Sequence, residues 1–178
     1  MAERYLPMEK KAKNIFFTGT PGCGKSTLIE RIAGQCPLPA RGFFTREIRE
    51  AGRRAGFSVV TLDGREGVLA HRDLHSRIRV GRYGVTLEDL ERLAVPAIST
   101  DGDPALLVID EVGKMECFSA PFRSAVLAAL DSHLPVLGAV ALKGGGFIGD
   151  VRSRKDLLLV TVTAKNRDAL ARRRWWDP

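Results

Sequence analysis

Residues 14–26 read Asn14-Ile15-Phe16-Phe17-Thr18-Gly19-Thr20-Pro21-Gly22-Cys23-Gly24-Lys25-Ser26, and their reading decides the fold. Asn14 to Thr18 is an apolar, β-like run, and a glycine-rich turn follows it. A helix is then predicted from about Lys25 to Gly34, with Leu28, Ile32 and Ala33 at helical spacing. Gly19 to Ser26 satisfies every fixed position of the pattern G-x-x-x-x-G-K-[ST]. Glycines let successive backbone N–H groups curl around an anion without Cβ clashes, and the helix behind them points its positive end at the same place. A chance glycine-rich turn needs neither a strand before it nor a helix after it, and both are present here. The segment from Gly19 through Thr27 is therefore read as a phosphate loop. Lys25 reaches the β- and γ-phosphates, and the Ser26 hydroxyl completes a Mg²⁺ shell. Cys23 contributes backbone, and its thiol is a bystander.

A second stretch supplies what a phosphate loop lacks. Leu106-Leu107-Val108-Ile109-Asp110-Glu111 is an apolar strand ending in two carboxylates. Asp110, at the strand's C-terminal end, fits the Walker-B role of holding Mg²⁺ through a water. Glu111, one residue on, opens into the crevice, where a carboxylate polarises an attacking water as a general base. A nucleotide kinase needs no carboxylate for that purpose, so the adjacent pair points toward hydrolysis. Lys114 has two readings: a cation that neutralises charge developing on the γ-phosphate, or a solvated surface lysine.

The rest of the chain frames these two segments as a single domain over residues 1–178. Gly42 to Glu50, Gly56 to Leu62 and Gly67 to His71 read as strands, with turns at Ala51 to Arg54 and Asp63-Gly64. They form an antiparallel hairpin insertion over about residues 41–71. Thr86 is a candidate N-cap for a helix carrying Leu87, Leu90, Leu93 and Ala94. A helix from about Ser119 to Ser132 follows, then a strand from Pro135 to Leu142. A last strand, Leu157 to Thr163, leads into a C-terminal helix. Strands that alternate with helices imply an α/β fold with a mainly parallel sheet covered on both faces.

Composition narrows the function classes. The cysteines, Cys23, Cys36 and Cys117, are odd in number, widely spaced and free of any Cys/His cluster. Reduced thiols in a cytoplasmic protein are expected, and no structural zinc. The start, MAERYLPMEKKAKN, carries no apolar leader core and no run of 18 apolar residues occurs, so neither secretion nor membrane spanning is expected. Lys and Arg number 28 against 21 for Asp and Glu, an excess suited to a polyanionic ligand, either a nucleotide or a nucleic acid. It does not choose between them.

Taken together, these residues resemble the small nucleoside-triphosphatase family that includes the cancer-related nucleoside-triphosphatase. The likeness runs through Gly19 to Leu28, Gly42 to Gly64, Arg79 to Val85, Leu90 to Ile98, Val108 to Ser119, Arg152 to Asp156 and Thr161 to Leu170. The phosphate loop is generic; the hairpin segment and Asp110-Glu111-Val112-Gly113-Lys114-Met115-Glu116 are specific to that family. The resemblance implies a RecA-like core and slow, Mg²⁺-dependent hydrolysis of several NTPs with loose base selectivity. The tail Arg172-Arg173-Arg174-Trp175-Trp176-Asp177-Pro178 departs from the family pattern.

Several weaker signals stay open at this level. Asn166 and Arg167 follow the last strand, where α/β proteins bind ligands, so they are candidates to hold the base by stacking and backbone contacts. They can equally be a helix start with a solvated arginine. Arg46 and Glu47 reach the γ-phosphate if the hairpin folds over the site, and otherwise decorate an exposed strand. Gly144-Gly145-Gly146 reads as a flexible loop. His71-Arg72-Asp73-Leu74 resembles a protein-kinase catalytic loop but lacks the Asn that motif needs, since Ile78 stands there. The tail mixes arginines with stacking rings, as single-strand binders do, although packed rings with solvated arginines are the favoured reading. The alternatives to hydrolysis are a kinase, with Arg152, Arg154 and Lys155 as its lid, or a nucleotide-gated switch that binds RNA or protein. The oligomeric state is left open.

Overall fold

The computed structural model describes residues 12–102 and 105–175. β1 (Asn14–Thr18) runs through the phosphate loop into α1 (Lys25–Gln35). β2 (Ala40–Glu50), β3 (Arg53–Thr61) and β4 (Glu66–His71) follow as an antiparallel meander, which a small hairpin of β5 (Arg79–Val80) and β6 (Tyr83–Val85) extends. A π-helical turn (Leu90–Ala94) passes directly into the short α2 (Val95–Ala97). Then come β7 (Leu106–Val112), a 3₁₀ turn (Glu116–Phe118), α3 (Ala120–Asp131), β8 (Val136–Val140), α4 (Phe147–Arg152), β9 (Leu157–Thr161) and α5 (Arg167–Arg172).

The nine strands among the described residues belong to one sheet, in the order β5-β6-β4-β3-β2-β7-β8-β1-β9. β2, β7, β8, β1 and β9 are mutually parallel, and their C-terminal ends open along a single edge. β2 serves both halves of the sheet. Ala40 to Phe43 pair in parallel with Leu106 to Ile109, while Phe43 to Glu50 pair antiparallel with β3. The hairpin region is thus a continuation of the main sheet, not a separate lobe.

The central strands are buried on both faces, which is why they read as continuous apolar runs. Alternation divides their side chains. Ile15, Phe17, Leu106 and Val108 pack with Leu28, Ile29 and Ile32 of α1. Phe16, Leu107 and Ile109 pack with Phe122, Val126 and Leu130 of α3, together with Leu90, Leu93 and Ile98. Phe16 and Phe17 are wholly buried, and cutting either back to alanine would cost about 3–5 kcal/mol. α3 begins as its sequence predicts: the Ser119 hydroxyl accepts from the Phe122 N–H at 3.1 Å, with Pro121 in the first turn.

Three local features depart from the sequence reading. The helix expected from Leu87 is wound as a π turn, with the Val95 N–H reaching five residues back to the Leu90 carbonyl. Pro96 has no N–H to give the Arg92 carbonyl, and the chain accommodates that gap with a wider turn. The glycine loop at 144–146 is followed by a helix, α4, that was not expected. Arg152 on α4 donates to the carbonyls of Leu142 and Gly144, holding the loop. Arg154 pairs with Asp131 and Asp156, at 2.6 and 2.7 Å, so two members of the proposed kinase lid serve as structural ties.

The tail is part of the core as far as it is described. Trp175 is 8% exposed, stands edge-on to Phe17 at 5.5 Å and donates its indole N–H to the Leu170 carbonyl at 2.9 Å. Arg173 lies over the ring at 4.5 Å, and Arg172 to Arg174 are exposed. Trp176 lies outside the described residues. No helix among the described residues is long and apolar enough to cross a membrane.

Candidate active site

The loop between β1 and α1 has the shape its sequence requires. Gly24 sits at φ 98°, the left-handed region, as it turns the chain into α1. The Leu28 N–H then makes the first helical bond, to the Gly24 carbonyl at 2.9 Å. At Gly19 the constraint is space: a Cβ would lie 2.6 Å from the Val162 carbonyl oxygen and 2.8 Å from Cys23 Sγ. The Cys23 side chain is folded back against the loop's own base, and its N–H closes a turn onto the Thr20 carbonyl at 3.2 Å. Thr20, Pro21 and Gly22 form the exposed tip. Lys25 is buried, with Nζ donating to the Gly19 carbonyl at 3.2 Å, so the ammonium lies within the curl of the loop.

β7 delivers the carboxylates to the same place. Ser26 Oγ, on α1, donates to Asp110 Oδ1 at 3.1 Å, although β8 lies between β7 and the β1 strand that leads into α1. The second oxygen, Oδ2, faces the Thr45 N–H of β2 at 3.5 Å. Asp110 is wholly buried, and burial pushes its carboxyl up to about 7, with the neighbouring Glu111 charge adding to the rise and the Ser26 bond opposing it. Carboxylate and hydroxyl oxygens side by side form a hard donor set, which fits Mg²⁺. Glu111 is half-exposed and Lys114 is exposed, with no side-chain partner among the described residues. A further carboxyl stands close by. Glu116 is 6% exposed, and burial, with the Glu111 and Asp110 charges, pushes it up to about 8.

Comparison with known proteins agrees with this geometry. A family model described as NTPase matches residues 14–173. The nucleoside-triphosphatase THEP1 of Thermotoga petrophila is 42% identical over 158 residues, covering 88% of this chain and 87% of that protein. The human cancer-related nucleoside-triphosphatase is 38% identical over 176 residues, covering 89% and 93%. The chain belongs to the NTPase family. The crystal structure of THEP1 from Aquifex aeolicus superposes with a TM-score of 0.80 at 31% identity, covering 89% of this chain and 94% of that one. This places the chain's mixed sheet within the P-loop NTPase fold.

In this NTPase the remaining candidates fall into three groups. Arg167, at the start of α5, leans on the loop, its side chain 3.5 Å from where a Gly24 Cβ would stand. It borders a cleft of about 270 Å³ with Gly24, Thr27, Leu28, Arg31 and Asp168. Asn166 instead closes the turn behind it: Oδ1 accepts from the Thr163 N–H at 2.8 Å and Nδ2 donates to the Thr161 carbonyl at 2.9 Å. Arg46 is paired with Glu30 on α1, and Glu47 with Arg49 and Arg54 in an exposed ion network. His71 and Arg72 likewise pair with Glu50.

Two groups near the site escaped the sequence reading. The Thr45 N–H is a backbone group, which no residue pattern announces. Glu116 stood in plain view within a run of three acids over seven residues, between Met115 and Cys117. An acid flanked by apolar side chains was the one signal that it is buried.

Proposed function

We propose that this chain hydrolyses the nucleoside 5′-triphosphates ATP, GTP, CTP and UTP to the nucleoside diphosphate and phosphate, with Mg²⁺ and little regard for the base. The observation that carries the reading is the bond from Ser26 to the buried Asp110, with Glu111 next along the strand and open to solvent. It joins the phosphate loop to a carboxylate pair of the kind that hydrolysis needs. The relatives named nucleoside-triphosphatases support the same reaction class.

Ser26 and Asp110 would hold Mg²⁺, which when bound neutralises charge on the β- and γ-phosphate oxygens. The loop N–H groups and Lys25 grip the same oxygens from the other side. Glu111 takes a proton from the attacking water as the new oxygen–phosphorus bond forms in line. The bond from the γ-phosphorus to the β–γ bridging oxygen breaks, and its electron pair leaves with the diphosphate. Lys114, exposed just past β7, would neutralise charge developing on the γ-phosphate. The ribose and base lie toward Thr27 and Arg167. Stacking on the Arg167 guanidinium tolerates any base, and Arg31 and Asp168 face each other at 3.6 Å. The three free cysteines suit a cytoplasmic setting.

The test is phosphate release from each of the four triphosphates without an acceptor, for wild type and Glu111→Gln, with Mg²⁺ and after chelation. Release from all four, lost on chelation and reduced about 100-fold or more in the variant, is expected. Release that requires an added acceptor, or a variant as fast as wild type, would end the hydrolase reading.

A further inference from the structure

Arginines gather at the free end of the meander, where β2 turns into β3, β4 ends and the β5–β6 hairpin turns back. No acidic residue stands between Asp73 and Glu88, while Arg77, Arg79 and Arg82 all do. β5 is an outer edge strand. Charge often blunts such an edge, but either sign would serve that end, and here each charge is an arginine. Contacts knit the two hairpins into one surface. Arg79 Nη2 donates to the Arg82 carbonyl at 2.9 Å, and Arg82 Nη2 donates to the Arg54 carbonyl at 2.8 Å and the Tyr83 hydroxyl at 3.0 Å. The Arg82 guanidinium lies 5.1 Å over the Tyr83 ring and that of Arg54 5.4 Å over Phe57, and the two rings meet edge to face at 5.3 Å. The nearby carboxylates are already engaged: Glu47 by Arg49 and Arg54, Glu50 by His71 and Arg72, and Asp73 by Arg72. Arg53, Arg77, Arg79 and Arg82 are exposed and have no carboxylate partner among the described residues. Capping the two rings calls for Arg54 and Arg82 alone, so it does not explain the other three.

We propose that this end of the meander binds a single strand of nucleic acid: Arg53, Arg77 and Arg79 hold its phosphates, and Arg54 and Arg82, seated over Phe57 and Tyr83, are platforms on which its bases stack. Arg77 and Arg79 alternate with the half-buried Ile78 and Val80, so both point away from the core, about 7 Å apart along the edge. Unpaired cations at such intervals suit a repeating anion better than one isolated phosphate. A duplex keeps its bases stacked inside, out of reach of the platforms, whereas a single strand can lay them on guanidinium planes. The surface is separate from the nucleotide site. β2 runs on from Thr45, whose N–H faces Asp110, to Glu50 before it turns, a distance of about 17 Å. The proposal therefore does not depend on how the triphosphate is cleaved.

The test is fluorescence anisotropy of a labelled single-stranded RNA of about 12 nucleotides, and of DNA of the same sequence, across roughly 50 to 200 mM KCl. Wild type is compared with the triple variant Arg53→Ala, Arg77→Ala, Arg79→Ala and with Arg172→Ala in the tail, and Tm and ATP turnover are measured alongside. Wild type should bind a single strand, more weakly as salt rises. At about 100 mM KCl the triple variant should bind at least about tenfold more weakly, and its slope of log affinity against log salt should be smaller by about 2, as the loss of three phosphate contacts requires. Its Tm and ATP turnover should match wild type, and Arg172→Ala should bind as wild type does. Should the triple variant fold poorly, the double variant Arg53→Ala, Arg77→Ala decides, because neither side chain makes a hydrogen bond among the described residues; its slope should be smaller by about 1. Binding of the RNA, of the DNA or of both supports the proposal and names the strand. If wild type binds neither at the lowest salt, or if the triple variant binds as wild type does, the proposal is overturned. A duplex of the same sequence held as tightly as the single strand would overturn it too, as would binding to phosphatidylserine vesicles in its place.

Discussion

Replacing Glu116 with glutamine should make the nucleotide-free protein more resistant to urea than wild type at pH 8.5, and leave the two alike at pH 4. The substitution keeps the length and the planar head group of the side chain, so it changes a proton equilibrium more than it changes packing. In the folded chain burial, and then the charges of Glu111 and Asp110, raise the Glu116 carboxyl from 4.5 to about 8. In the unfolded chain it titrates at its ordinary value. Below that value both states hold the proton, and the folded state suffers no penalty. Between the two values the unfolded chain releases its proton and the folded chain does not, so folding stability declines steadily as pH rises. Above about 8 the folded carboxyl ionises in place and the decline levels off. Each tenfold change in proton affinity is worth about 1.4 kcal/mol, which puts the deficit at roughly 3 kcal/mol at pH 7 and on the order of 5 kcal/mol at the plateau. Glutamine does not titrate and escapes the whole of it. Asp110 is present in both proteins, so most of its own transition cancels in the difference between them. The assay is equilibrium urea unfolding from pH 4 to 9 without nucleotide or Mg²⁺. A glutamine advantage of equal size at every pH would refute the reasoning, because better packing would then be the cause.

Two further outcomes follow from the same geometry. Trp175→Ala should lower unfolding stability by about 3 kcal/mol, since it removes a buried ring set against Phe17, and should leave affinity for single-stranded RNA unchanged; a loss of RNA affinity with intact stability would reverse the structural reading of the tail. Arg167→Ala should raise KM for ATP, GTP, CTP and UTP by similar factors, about tenfold, since stacking on a guanidinium is indifferent to the base; a rise confined to one triphosphate would mean that the cleft reads the base after all.

The phosphate loop and the Asp110-Glu111 pair were legible because their chemistry is written in local spacing. A strand, a glycine turn and a helix start lie within 13 residues, and the pattern admits few other uses. What stayed hidden depends on contacts distant in sequence. No local signal says that β8 lies between β1 and β7, or that β2 shares its hydrogen bonds between β7 and β3. β5 and β6 are two and three residues long, too short for periodicity to register. α4 follows three glycines that read as loop. Arg46 was a candidate for the γ-phosphate until Glu30, one helical turn beyond Ser26, proved to be its partner. The burial of Glu116 depends on how the turn after β7 meets α3, which its own neighbours in sequence only hint at.

The antiparallel meander has a part in the site that its sequence does not announce. Asp110 is held through two oxygens by two different elements: Ser26 of α1 on Oδ1 and the Thr45 N–H of β2 on Oδ2. Thr45 lies just past the point where β2 leaves β7 and continues only with β3. Without β3 the second half of β2 would have no ladder to hold it, and the N–H facing Asp110 would lose its support. The Arg46–Glu30 pair then ties this half of β2 back to the helix that carries Ser26. The extension thus closes a ring, from α1 to Asp110 to β2 and back to α1, around the oxygens that would receive Mg²⁺. A change in β3 that shifts Thr45 would therefore disturb Asp110 while leaving every residue of the phosphate loop in place.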